Sequence, residues 1–277
     1  MERIPREFGV VPADLASDAS AAGVGAFFED VIDACAGRIP VVKPQIAFFE
    51  QLGWRGLRVL EGLVARARER GLLVILDAKR GDLDTTARAY AKSYVSPTSP
   101  CRADAITLSP YLGLDSLQPF VEAARDHGVG LFVLARTSNP GANDFQSLLI
   151  DGVPLYERVA RALRPLADGL RGTSGYSSLG VVAGATYPAE AVRLRAVLPD
   201  SLFLVPGYGA QGGKIADALA SFVRHEGRLE GGMVNSSRGV LFGDVAAEVT
   251  RAAWRAGLRA RLDAAVRELS EAVTSPA

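Results

Sequence analysis

Asp77, Lys79 and Asp82 lie in the stretch LDAKRGD, directly after the apolar run LLVIL at 72–76. In extended chain successive side chains alternate, so Asp77 and Lys79 are expected on one face. If LLVIL is a strand of a parallel barrel, its C-terminal end opens at the mouth where active sites sit. Lys43 ends an earlier apolar run, IPVVK at 39–43, and is placed to reach the same mouth. Two carboxylates and two ammonium groups would then share one partly desolvated site. A strand-end ion pair, with Asp82 capping a helix that begins near Leu83, accounts for the same residues structurally. Buried charge is costly, however, and is usually retained for a purpose.

A second set of residues suits an anion. The run LFLVPG is followed by YGAQGG, with Gly207, Gly209, Gly212 and Gly213, and GMVNSS is followed by Arg238 and Gly239. Loops after the last two strands of a barrel commonly hold phosphate, and glycines let backbone N–H groups approach it. Gln211 and Arg238 add side-chain donors, the arginine able to bind bidentately. Turn punctuation explains the glycines alone equally well. Ser138, in TSNPG at 137–141, can bond the polar edge of a heterocycle or simply start a turn.

These residues need elements to position them. Seven β-like runs are expected at 39–43, 72–79, 103–108, 130–136, 179–185, 202–207 and 232–237. Their near-continuous apolar character is that of parallel strands covered on both faces. Amphipathic helices separate them. Val24, Phe27, Phe28, Val31, Ile32 and Cys35 define one, with Gly37 to end it; Leu57, Leu60, Val64 and Ala67 define another before Gly71; Leu258, Leu262, Val266, Leu269 and Val273 define the closing helix. Repeated strand–helix units predict an α/β fold, a (β/α)8 TIM-type barrel over residues 1–277 as one phosphate-binding domain. A doubly wound sheet shares the local pattern. Seven strands leave the barrel one short, and a helix comes first. Either EFGVV at 7–11 supplies a makeshift strand, or the chain starts downstream of one the fold normally has. Two longer irregular stretches remain: 137–150, where a barrel enzyme carries a mobile binding loop, and 169–178, a connector.

Composition narrows the class. With 48% hydrophobic residues, and 31 basic against 31 acidic side chains, the chain can bury a large core and gives no reason to expect a nucleic-acid or membrane partner. Cys35 and Cys101 are far apart and are expected to be reduced thiols; with no Cys/His cluster, no metal site is expected. His127 and His225 are expected at exposed helix ends. Without an apolar leader or a spanning run, a cytoplasmic location is expected. A reaction run by lysine and aspartate, without metal or histidine, is what remains.

In combination, LDAKRGD with the following TT, VVKPQIAFFE, SPYLG, TSNPG, VPGYGAQGG and NSSRG closely resemble the longer bacterial subfamily of orotidine 5′-phosphate decarboxylases. The similarity runs from about residue 20 to the C-terminus. It implies decarboxylation of orotidine 5′-monophosphate to UMP, the last step of UMP synthesis, without a cofactor. Lys43, Asp77, Lys79 and Asp82 then match an alternating Lys-Asp-Lys-Asp network with Lys79 as the proton donor. Asp82 matches a carboxylate that enters the partner's site in a homodimer, and Thr86 a threonine that accompanies it. Ser138 matches the pyrimidine-reading serine, and Gln211 and Arg238 the phosphate ligands. One departure stands out: the family's first strand carries an Asp-Pro whose aspartate contacts ribose, and the context of Asp14 and Asp18 here does not match it. Two alternatives follow. A related sugar-phosphate decarboxylase or aldolase, such as 3-keto-L-gulonate 6-phosphate decarboxylase, shares Asp-x-Lys-x-x-Asp but uses magnesium and resembles an acidic residue where this chain has Lys43. A catalytically silent phosphate-binding barrel is the other.

Overall fold

In the computed structural model, residues 1–208, 214–243 and 248–275 are described. In chain order the main elements are α1 (Asp18–Cys35), β1 (Val41–Val42), α2 (Trp54–Glu69), β2 (Leu73–Arg80), α3 (Asp84–Val95), β3 (Ala105–Leu108), α4 (Gln118–His127), β4 (Gly130–Arg136), α5 (Leu155–Asp168), β5 (Ser177–Ala183), α6 (Pro188–Val197), β6 (Ser201–Val205), β7 (Gly232–Val234) and α7 (Arg251–Thr274). Each of the seven expected apolar runs overlaps one of these strands. Two compact units divide the chain: Met1–Ala78 with Pro100–Asp104 and Ser237–Glu268, and Lys79–Ser99 with Ala105–Ser236 and Leu269–Ala277.

In the first unit, β1 pairs in parallel with β2 through Val41–Leu73 and Val42–Val74. Ser17 caps α1 by accepting the Ser20 N–H, and Gly37 and Gly71 both take positive φ just past α1 and α2, as glycines that end helices do. The buried face of α2 is Leu60, Leu63, Val64 and Ala67; Leu57, expected there, is exposed. EFGVV does not form a strand. Arg6–Phe8 is a single 3-10 turn, and Phe8 packs edge-on against Phe27 and Trp254 at 5.4 Å each. The segment is held by an aromatic cluster rather than by a ladder, and Arg251 on α7 binds the buried Asp30 carboxylate at 2.7 Å nearby. Cys35 and Cys101 are free and buried, and burial pushes both thiols up to about 11.

In the second unit, β3, β4, β5, β6 and β7 pair successively in parallel. All of β3 is buried, and all of β5 but one residue, as expected of strands covered on both faces. α4 and α5 pack on β4, and α5 also on β5. Arg195 pins the edge of this sheet. Its guanidinium donates to the carbonyls of Leu198, Pro199, Ser201, Ser221 and Gly231 and lies 3.9 Å from the Phe203 ring centroid. Burial lowers its pKa to about 10, against the opposing pull of Tyr176 and Asp200. His127 is the last residue of α4, as expected. His225 is not at a helix end: it closes one arm of an antiparallel hairpin, Val223–His225 with Arg228–Glu230. Glu226 and Gly227 both have positive φ, the backbone a two-residue hairpin turn requires. Reading RHEG as a helix end missed this because the turn chemistry of the glycine serves either element.

Candidate active site

Lys43 and Asp77 meet in the first unit. Beyond the short β1–β2 ladder the backbone stays in register, because the Asp77 N–H donates to the Pro44 carbonyl and Ile46 N–H donates to the Asp77 carbonyl. That alignment sets Lys43 Nζ 2.7 Å from Asp77 Oδ2, with the two side chains 13% and 12% exposed. A charged pair this shielded is held by its own hydrogen bond and little screened by solvent. Arg238, in the same unit, is exposed and opens the short helix Arg238–Leu241, where its carbonyl accepts the N–H groups of Phe242 and Gly243.

Lys79, Asp82, Thr86 and Ser138 belong to the second unit. Lys79 has φ 46°, a left-handed conformation that non-glycine residues adopt at a cost and that recurs at functional sites. Its N–H donates to Thr107 Oγ1 at 2.9 Å, and Thr107 is the one hydroxyl on the otherwise apolar, buried β3. Lys79 stays within β2, but its positive φ departs from the extended backbone that the two-residue alternation assumes. Asp82 follows, and its carboxylate accepts the Leu83 N–H at 2.8 Å. The helix α3 has Leu83 as its N-cap, with no side-chain cap; Asp82 bonds the N–H next to it. Thr86 is exposed one turn on, its N–H bonded to the Leu83 carbonyl. Among these candidates, Lys43 and Asp77 are in direct contact within one unit. Gln211 lies outside the described residues.

Ser138 is fixed from several sides. Thr186 Oγ1 donates to its carbonyl at 3.3 Å. A Cβ on Gly184 would come within 2.8 Å of Ser138 Cα, so glycine is needed there for the strand-end loops to approach. Gln146 accepts the Thr137 N–H and donates to Thr137 Oγ1, both at 2.9 Å. The stretch 137–150 carries more regular structure than the sequence suggests: Pro140–Asp144 is a 3-10 turn, and Leu149–Ile150 pairs with Val153–Pro154. Sequence reasoning passed over Thr107, Gly184 and Gln146. A lone hydroxyl inside an apolar parallel strand was the signal available for Thr107; nothing local marks Gln146. Among the described residues, no three His, Cys, Asp or Glu side chains group as metal ligands, and no helix is long and apolar enough to cross a membrane.

The family model for orotidine 5′-phosphate decarboxylase / HUMPS matches residues 11–253. An orotidine 5′-phosphate decarboxylase of Rhodopirellula baltica is 42% identical over 268 residues, covering 94% of this chain and 88% of the relative. That of a Nocardioides species is 46% identical, covering 79% and 78%. The solved OMP decarboxylase of Leishmania donovani superposes with a TM-score of 0.75 at 35% identity, covering 92% of this chain and 90% of that one. The fold class is therefore the α/β TIM-type barrel that the strand–helix alternation predicts. With the model match spanning most of the sequence and relatives this similar over more than three quarters of their length, the chain belongs to the orotidine 5′-phosphate decarboxylase / HUMPS family.

Proposed function

We propose that this chain decarboxylates orotidine 5′-monophosphate to UMP, with Lys79 donating the proton to C6. The supporting observation is the shielded Lys43–Asp77 pair at the end of β2, two residues before a lysine held in a strained backbone. The C6–carboxylate bond breaks, CO2 leaves, and the electron pair stays on C6. That carbanion has little delocalisation, so the stabilisation required is on the order of 20 kcal/mol. An ammonium fixed beside C6 meets the charge without reorganising and then passes its proton to C6. The neutral amine regains a proton from solvent. Asp77 and Asp82 hold Lys79 charged and in place, and Lys43 keeps Asp77 ionised.

Ser138 bonds the pyrimidine edge, Gln211 and Arg238 bind the phosphate, and Thr86 accompanies Asp82. Remote phosphate binding serves to order the 137–150 loop over the substrate. The active form is a homodimer in which Asp82 and Thr86 enter the partner's site, and the enzyme works in the cytoplasm without a cofactor. Residues 1–277 act as one barrel domain. The test is turnover of orotidine 5′-monophosphate by the purified chain, alongside calorimetric titration with UMP. Turnover and binding together are expected. UMP binding without turnover would mean a silent phosphate-binding barrel instead.

A further inference from the structure

Arg136 ends β4 and is 1% exposed, yet no role above uses it. Its Nε donates to the Glu190 carboxylate, and its Nη2 donates to Asn143 Oδ1 at 2.7 Å. The guanidinium lies 3.8 Å from the Tyr187 ring centroid and 5.8 Å from that of Tyr156. Nη1 is buried with no acceptor among the described residues, so the hold rests on those two bonds and the rings. Glu190 and Tyr187 belong to the start of α6, Tyr156 to the start of α5, and Asn143 to the 3-10 turn of the 137–150 loop. Asn143 Oδ1 also accepts the Ser147 hydroxyl at 2.9 Å.

A core position that only needed filling would be served by an apolar side chain of similar volume, since burying a guanidinium carries a large desolvation cost. What arginine adds is a planar fork that fixes direction at both ends. Here one end is fixed on the α6 helix and the other on the loop, and Ser138 lies between the two anchors in sequence: Arg136 precedes it and Asn143 follows. We propose that Arg136 is a positioning residue, which holds the 137–150 loop in the arrangement that presents Ser138 to the pyrimidine. This rests on the reading of Ser138 given above. Asn143 is the handle on the loop side, so the loop's order and the serine's function are coupled through one buried guanidinium.

The test uses the full-length protein and three variants: Asn143→Ala, which leaves Arg136 paired with Glu190; Arg136→Lys, which keeps the charge and loses the fork; and Ser138→Ala. Amide hydrogen exchange is read for 139–150 and for β4 and β5 separately, and kcat and KM are measured for each variant and for the Asn143→Ala/Ser138→Ala pair. Both Asn143→Ala and Arg136→Lys are expected to speed exchange in the loop by about tenfold, the effect of losing one charge-assisted hydrogen bond, with β4 and β5 unchanged. Ser138→Ala should then cost less kcat/KM in the Asn143→Ala background than in the parent. Unchanged loop exchange in both variants, or acceleration spread evenly over β4, β5 and the loop, overturns the positioning role even if Ser138→Ala is impaired. A neutral Ser138→Ala in the parent overturns the assignment of Ser138 itself, whatever the loop does.

Discussion

Replacing Lys43 by methionine keeps most of the side-chain volume and leaves the Asp77 carboxylate, 12% exposed, without its ammonium partner. Removing one member of a buried pair costs about 3–5 kcal/mol in the usual case. Proton uptake sets a ceiling here: an ordinary aspartate, pKa about 3.9, is neutralised at pH 7 for roughly 4 kcal/mol, about three units at 1.36 kcal/mol each. Asp77 has other contacts, which bring the expected loss to about 2–4 kcal/mol, a fall in Tm on the order of 5–10 °C. The sign with pH follows from linkage. The lone carboxylate binds its proton more readily folded than unfolded, so the penalty is full at neutral pH and fades as the pH falls toward about 4. Thermal unfolding of Lys43→Met and the parent from pH 7.5 to 4.5 measures this, with Lys43→Arg as the charge-keeping control. Turnover should fall with the pair broken, since the proposed network then lacks one of its two ammonium groups. A loss below about 1 kcal/mol at pH 7, or one that does not change with pH, would show that the pair is not the shielded contact described.

Arg238→Ala is expected to raise KM strongly with a smaller effect on kcat, and orotidine lacking its phosphate should be a poor substrate; equal kcat/KM for the two substrates removes the phosphate assignment. Exhaustive EDTA treatment should leave turnover unchanged, whereas loss of activity restored by magnesium favours the sugar-phosphate alternative. Asp82→Ala and Lys79→Ala should each be nearly inactive, yet recover up to about one quarter of parent activity when subunits are exchanged, because a mixed dimer carries one pocket free of both defects. Confirmed exchange without recovered activity places Asp82 in its own chain's site.

Much of the fold could be read from hydrophobic pattern, because buried parallel strands and amphipathic helices impose periods that the order of apolar residues reveals. Leu57 shows where this fails: it keeps the 3.6-residue spacing of α2 but is exposed, since the buried stripe shifts toward Leu63. The strand proposed for 7–11 failed for a different reason. Its Phe8 serves an aromatic cluster with Phe27 and with Trp254, the latter more than 200 residues away and outside any local window. In the site, Lys43 and Asp77 were legible because both terminate apolar runs. Arg136 was not, since an arginine closing GLFVLAR reads as a strand leaving the core for solvent. Its burial depends on Glu190, Asn143 and Tyr187, which the fold alone brings together.

The most direct test is the single-turnover rate of Lys79→Ala on orotidine 5′-monophosphate, with UMP affinity measured on the same preparation. Lys79 is assigned to the transition state, so the chemical step should be lost while UMP still binds and the Tm stays close to the parent's. A Lys79→Ala variant that decarboxylates at a near-parental rate would contradict the central claim that this lysine carries the proton to C6.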